Sequence, residues 1–320
     1  TRDSNLGMGG PAMIEGGGLG VFKPDDIGPS AVQWANGVID ILADDEAHAT
    51  ALAKQAMSTF QGRLADWTAP DQRDLRRAIP ENRLRVYDIR PLIETLADAG
   101  SFLELRRGFA AGMITGFVRI EGRPMGLIAN DPRHLGGAID CDGAEKAARF
   151  LQLCDAFDLP VVSLCDTPGF MVGPDSEAAG AVRRVSRQFI AGAKLGTPLF
   201  CIVLRKGYGL GAQAMAGGGF HAPVFIASWP TGEFGGMGLE GAVRLGYSKE
   251  LAAETDPEKN KALFEQLVGR LYAAGKATSM AAALEIDAVI DPAETRRWIT
   301  RGLDSCPART KPARRWVDSW

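Results

Sequence analysis

Three short, almost unbroken apolar runs constrain the fold more than any other feature: "LPVVSLCD" from residue 159, "TPLFCIVLR" from 197 and "APVFIAS" from 222. A strand with one wet face alternates apolar and polar residues, whereas these runs are apolar on both faces and helical segments separate them. A parallel sheet covered on both faces, with right-handed crossovers, satisfies that pattern. The fold class is therefore α/β. Ahead of these runs, "GMITGFVRIEG" and "RPMGLIAND" read as a pair of strands. "DGAEKAARFLQLCDAF" reads as a helix capped by Asp142, 176–195 as a second helix, and 211–218 as a short third.

The earlier part of the chain is organised differently. Residues 7–20, "GMGGPAMIEGGGLG", form a glycine-rich loop, and "DDEAHATALAKQAM" has the acidic start and alanine content of a helix. Between 61 and 84 charges mix with Pro70 and Pro80 without sustained periodicity, which predicts a linker. The domain expectation is thus 1–60, a linker at 61–84, and a second domain from 85 to 320.

Composition excludes several classes. A net charge of −3, with no long basic run before the tail, gives no footprint for nucleic acid. Apolar runs stay below the ~18–20 residues that span a bilayer, and no signal peptide opens the chain, so no membrane partner is expected. Five cysteines stand singly, without metal-site or disulfide spacing, which fits a cytoplasmic or mitochondrial-matrix setting. The chain opens at Thr1 without Met, as a processed product or a fragment of something longer would.

In parallel sheets, function gathers in the loops that leave the strands' C-terminal ends. Two such loops stand out here: "CDTPGFMVGPDSEAAG" and "RKGYGLGAQAMAGGG". Each opens a helix, whose first N–H groups lack intrahelical partners and favour negative charge. Gly207, Gly209 and Gly211 could cradle a phosphate, but their spacing is GxGxG rather than GxGxxG, and no Gly-Lys-Ser/Thr follows. Glycines of this kind also serve simply to pack a short helix on a sheet. A third reading is that both loops aim backbone N–H groups at one point, where they would hold an oxyanion. Side chains for acid–base work are scarce. His48, His134 and His221 lie outside both loops, and Asp166 and Glu177 read more naturally as loop or helix caps than as bases.

Taken together, "GRPMGLIANDP", "GGAIDCDGAEKAARFLQLCDAFDLPVVSLCDTPGFMVG", "TPLFCIVLRKGYGLGAQAM" and "WPTGEFGGMGLEGAV" resemble the C-terminal carboxyltransferase domain of biotin-dependent acyl-CoA carboxylases, the propionyl-, acetyl- and methylcrotonyl-CoA carboxylase β-subunit family. The likeness is strongest over 85–290, and 1–60 resembles the end of the family's N-terminal domain. It implies a crotonase-like (ClpP/crotonase) fold of repeated ββα units and dimer-interface active sites in a homo-oligomer. The reaction implied is CO2 transfer from carboxybiotin to the α carbon of an acyl-CoA, in fatty acid metabolism. No side-chain base is then required, because the biotin ring itself accepts the α-proton. The implied partners are a biotin carboxylase and a biotin carboxyl carrier protein or domain. Much of the acyl-CoA site belongs, in the family, to the part of the N-terminal domain that these residues do not include.

Carried over by position, the N–H groups of Leu210 and Gly211 would hold the biotin ureido oxygen, and Gly169, Phe170 and Gly209 would line the same pocket. The two loops thereby resolve toward an oxyanion. No metal is implied. Related propionyl-CoA enzymes carry "GGAYD" where this chain has "GLGAQ", so Ala212 and Gln213 replace a Tyr-Asp pair that shapes acyl choice, and a roomier, less polar wall is expected. Acyl length stays open, a single-polypeptide carboxylase included. Two other readings stand beside this one: a biotin-dependent decarboxylase subunit, and a non-catalytic crotonase-like assembly module. Leu263, Leu267 and Leu271, spaced i, i+4, i+8, form a face for the core or a subunit partner, and the tail "RTKPARRWVDSW" reads as a solvated segment or as a docking element for a partner domain.

Overall fold

The computed structural model describes residues 1–307 and 317–318. One eight-stranded sheet runs through it, in the order β1-β2-β3-β4-β5-β6-β8, with β7 paired to β5. β1 (Leu103–Leu105), β2 (Met113–Ile120) and β3 (Arg123–Asn130) form an antiparallel meander. From β3 onward, β4 (Val161–Thr167), β5 (Leu199–Tyr208), β6 (Phe225–Ser228) and β8 (Ala288–Val289) are parallel. β7 (Glu233–Gly235) adds a parallel partner to the C-terminal end of β5.

The apolar runs are explained by two cores, one on each face. Along β5 the side chains alternate: Leu199, Cys201 and Val203 join one core, Phe200, Ile202 and Leu204 the other. The crossover helices Cys141–Ala156, Ala181–Ala193 and Gly209–Met215 all contribute to the first core, through Ala144, Leu151, Ala191 and Met215. The second face is covered by the helix Arg90–Leu96, by Leu75 and Ile79, and by Ile299 of the helix Thr295–Ser305. The stretch 61–84, predicted as a linker, lies along the sheet: Leu75 is buried, and Leu64 N–H donates to the Gly122 carbonyl.

Three local expectations are corrected. The helix Cys141–Ala156 is capped by Asp140, whose extended backbone lets its Oδ1 accept the Gly143 N–H at 2.7 Å. Asp142 lies inside the first turn and pairs with Arg184. The helix predicted at 176–195 is two, Pro174–Ala178 and Ala181–Ala193, separated at Gly180, which adopts φ 77°. The short helix predicted at 211–218 begins earlier and stops sooner, Gly209–Met215, directly on the end of β5. In the helix Pro257–Ala274 the leucine stripe is only partly covered, with Leu267 buried and Leu263 and Leu271 half-buried. The tail residues Trp316 and Trp320 lie outside the described residues.

Candidate active site

The two glycine-rich loops leave adjacent strand ends, β4 and β5, and meet backbone to backbone. A Cβ built on Gly211 would stand 2.7 Å from the Cα of Gly169, 2.8 Å from its carbonyl carbon and 3.1 Å from the Phe170 nitrogen. Only a residue without a side chain permits that approach. Gly209 starts the helix at φ 56°, with its α-carbon turned onto the Gly236 carbonyl, where a Cβ would sit 2.7 Å from the oxygen. Leu210 and Gly211 are therefore the second and third residues of a helix whose first amides have no intrahelical acceptor. Among the described residues no side chain caps that end.

The first loop is tied down from two directions. Gly169 N–H donates to Thr167 Oγ1 at 3.1 Å, so this amide is already used. The Gly169 carbonyl accepts the Ile139 N–H at 3.0 Å, and the Met171 N–H donates to the Ile139 carbonyl at 2.8 Å, stitching the loop to the one that follows β3. The Phe170 ring packs 5.9 Å from Phe189. Lys206, on β5, ties the strand to the loop after β3: its ammonium donates to the Gly136 carbonyl at 2.9 Å, and burial holds its pKa below the usual lysine range.

The remaining predicted residues divide cleanly. Leu210 points outward and is 62% exposed, and Val172 and Met237 in the flanking loops are exposed as well. Ala212 is buried in the core beneath the helix, while Gln213 is half-buried, and its carbonyl accepts the Gly218 N–H at 2.8 Å. Of the two positions expected to shape acyl choice, Gln213 is thus the one with access to solvent. Asp166 is fully buried and bonded to Arg205 and Tyr87, an arrangement unavailable to a loop cap. Burial and that carboxylate push the Tyr87 phenol well above its ordinary pKa.

Sequence reading missed a second charged group beside the β5 loop. Arg83 bridges Glu233 at 2.8 Å and Glu240 at 2.7 Å. Tyr208 is buried next to it, its phenol raised by burial and by the Glu233 carboxylate. Charge in a segment read as linker gave no signal of this role, since its partners lie about 150 residues away. Among the described residues no cluster of three or more His, Cys, Asp or Glu could hold a metal, and no helix is long and apolar enough to cross a membrane.

The donor set at the loop junction consists of the amide N–H groups that open the helix Gly209–Met215, while the nearby Lys206 ammonium is engaged by the Gly136 carbonyl. Such a set stabilises a carbonyl oxygen that gains negative charge and performs no proton transfer of its own. The mixed sheet, with its meander followed by parallel strands and these backbone donors at their ends, is a crotonase-like fold. The chain belongs to the carboxyl transferase domain family, which residues 2–314 match. It is 60% identical to the single-chain, multi-domain long-chain acyl-CoA carboxylase whose structure is known, over 94% of this chain and 29% of that one, with a TM-score of 0.88. It is 32% identical to the methylmalonyl-CoA carboxyltransferase 12S subunit of Propionibacterium freudenreichii subsp. shermanii, over 98% of this chain and 62% of the relative. It is 37% identical to the biotin-dependent acetyl-/propionyl-coenzyme A carboxylase beta6 subunit of Mycobacterium tuberculosis (strain ATCC 25618 / H37Rv), over 88% and 60% respectively. The chain therefore spans about three fifths of the length of these two curated relatives.

Proposed function

We propose that this chain is the carboxyltransferase component of a biotin-dependent acyl-CoA carboxylase and that it carries the biotin side of the transfer site. The observation that carries the reading is the backbone contact of Gly211 with Gly169 and Phe170, which sets the first amides of the helix Gly209–Met215 against the loop after β4. The N–H groups of Leu210 and Gly211 bind the ureido oxygen of biotin, a neutral carbonyl whose oxygen gains charge as CO2 departs. Gly209 fixes the direction of those amides, and Gly169 and Phe170 line the facing wall. Leu210 and Val172, apolar and exposed, give a bound ligand apolar surface to cover. Carboxybiotin, when bound, supplies the carboxyl group as CO2 to the α carbon of the acyl thioester. The reaction proposed calls on no protein base for the α-proton.

The acyl substrate we propose is a long-chain acyl-CoA. Sixty per cent identity to a long-chain acyl-CoA carboxylase, against 32–37% to relatives named for methylmalonyl, acetyl or propionyl groups, supports this choice. So does Gln213, uncharged and partly exposed at the position where a propionyl-type site has an acid. The partners are a biotin carboxylase and a biotinylated carrier, on the same polypeptide or on another, and the active assembly is a homo-oligomer. The test uses the full-length native polypeptide with ATP and bicarbonate, comparing acetyl-, propionyl- and long-chain acyl-CoA. Preferential carboxylation of the long-chain substrate is expected. Turnover of only the short substrates overturns the substrate class, and turnover of none overturns the function.

A further inference from the structure

Just below the two loops, the β4–β5 ladder breaks register. Cys165 pairs with Val203, but the next pair is Thr167 with Gly207, so on β4 a single residue, Asp166, faces Leu204, Arg205 and Lys206. Such a bulge takes backbone groups out of the ladder, and buried backbone groups need other partners. Side chains supply them here. Lys206 N–H donates to Asp166 Oδ1 at 3.1 Å, and the N–H of Asp166 donates to Asn130 Oδ1 at 3.1 Å. Tyr87 Oη donates to Asp166 Oδ2 at 2.8 Å, and Arg205 Nε donates to the same oxygen at 3.1 Å. Arg205 also donates to the carbonyls of Arg83 and Arg85, at 3.1 and 2.7 Å, and lies 5.0 Å over the Tyr87 ring.

Asp166 is 0% and Arg205 2% exposed, so this pair is sealed from any ligand. A carboxylate offers about four lone-pair sites, and Tyr87 Oη, Lys206 N–H and Arg205 Nε, which reaches both oxygens, make four contacts with this one. Asp166 is thereby excluded as a base. What it does control is position. The two extra residues of β5 bring Gly207 level with the end of β4 and carry Tyr208–Gly211 beyond it, and the carboxylate three residues before Gly169 grips the amide five residues before Gly211. We propose that Asp166 is a positioning residue: by closing the bulge it sets the spacing between the amides of Leu210 and Gly211 and the Gly169–Phe170 wall, and so sets turnover without touching substrate. This rests on the reading of those loops as an oxyanion site.

Three variants of the full-length native polypeptide test it. Tyr87→Phe removes one hydrogen bond to Asp166 and leaves every charge paired. Asp166→Asn uncovers the buried Arg205 and risks the fold, so the double variant Asp166→Asn/Arg205→Met removes both charges together. The expected result is a drop in kcat of about threefold or more for Tyr87→Phe and about 10²-fold for the double variant, with KM for acyl-CoA within about twofold. Crystal structures of the variants should show Gly211 drawn away from Gly169. A merely structural role would instead lower the yield of folded enzyme and leave kcat per folded site unchanged. The proposal is overturned if kcat stays within about twofold of wild type, or if it falls while the Gly169–Gly211 approach is unaltered. If the wild-type polypeptide transfers no carboxyl group, the oxyanion reading fails separately. The variant structures then still decide the positioning role, an unaltered approach overturning it.

Discussion

Gly211→Ala puts the oxyanion geometry to its hardest test. The new Cβ would lie 2.7 and 2.8 Å from Gly169 carbons and 3.1 Å from the Phe170 nitrogen, all backbone atoms that no rotamer change can move aside. Carbon–carbon contacts settle at about 3.5–4.0 Å, so helix and loop must separate by roughly 0.8 Å. A misplacement of about 1 Å at a reacting centre costs about 10²-fold in rate, and loss of one oxyanion donor about 10²–10³-fold. The expected fall in kcat is therefore about 10²-fold, or ~2.7 kcal/mol of transition-state stabilisation. Stability should change far less, because alanine is the better helix former by ~1 kcal/mol and offsets part of the strain. The assay is steady-state carboxylation by the full-length polypeptide, with thermal unfolding run alongside. Gly219→Ala is the control, since a Cβ there meets no atom within 4 Å. A Gly211→Ala enzyme that is normally folded and retains kcat within threefold of wild type would refute the assignment of the ureido oxygen to this helix end.

Gln213→Asp restores an acid where propionyl-type relatives have one. The ratio of kcat/KM for long-chain over propionyl-CoA should fall about tenfold, and an unchanged ratio would remove Gln213 from the specificity wall. Lys146 is 2% exposed, its amine donates to the Arg106 and Phe109 carbonyls at 2.8 Å each, and burial lowers its pKa to about 7. Between pH 7 and about 10 the unfolded chain holds a proton that the folded one has released. Stability should accordingly rise with pH, by at most ~1.4 kcal/mol per unit. Chemical denaturation across that range should show the slope in wild type and lose it in Lys146→Met. Cys154, Cys165 and Cys201 are buried and burial raises their thiols, that of Cys201 to about 12, so at pH 8 the Cys201 thiolate fraction is roughly 10³-fold below that of a free cysteine. Alkylation mapped by mass spectrometry should mark Cys306 first in the native protein and these three only after unfolding. Rapid native labelling of Cys201 would contradict its packing in the sheet.

The amino-acid sequence alone determined five of the eight strands and the two loops. The run Leu199–Leu204 is apolar at every position because both faces of β5 meet a core, and that signature is local. The resemblance carried by the glycine loops implies a shared site for Leu210, Gly211, Gly169 and Phe170. Only the tertiary structure could show that Gly169 and Gly211, 42 positions apart, touch through their backbones, because glycine spacing within one loop is blind to the neighbouring loop. The same holds for Asp166: beside a strand end it reads as a cap, yet its partners Tyr87 and Arg205 are 79 and 39 residues distant. Side-chain identity fixes what a residue can bond, while the register shift between β4 and β5, a product of the whole sheet's packing, decides what it does bond.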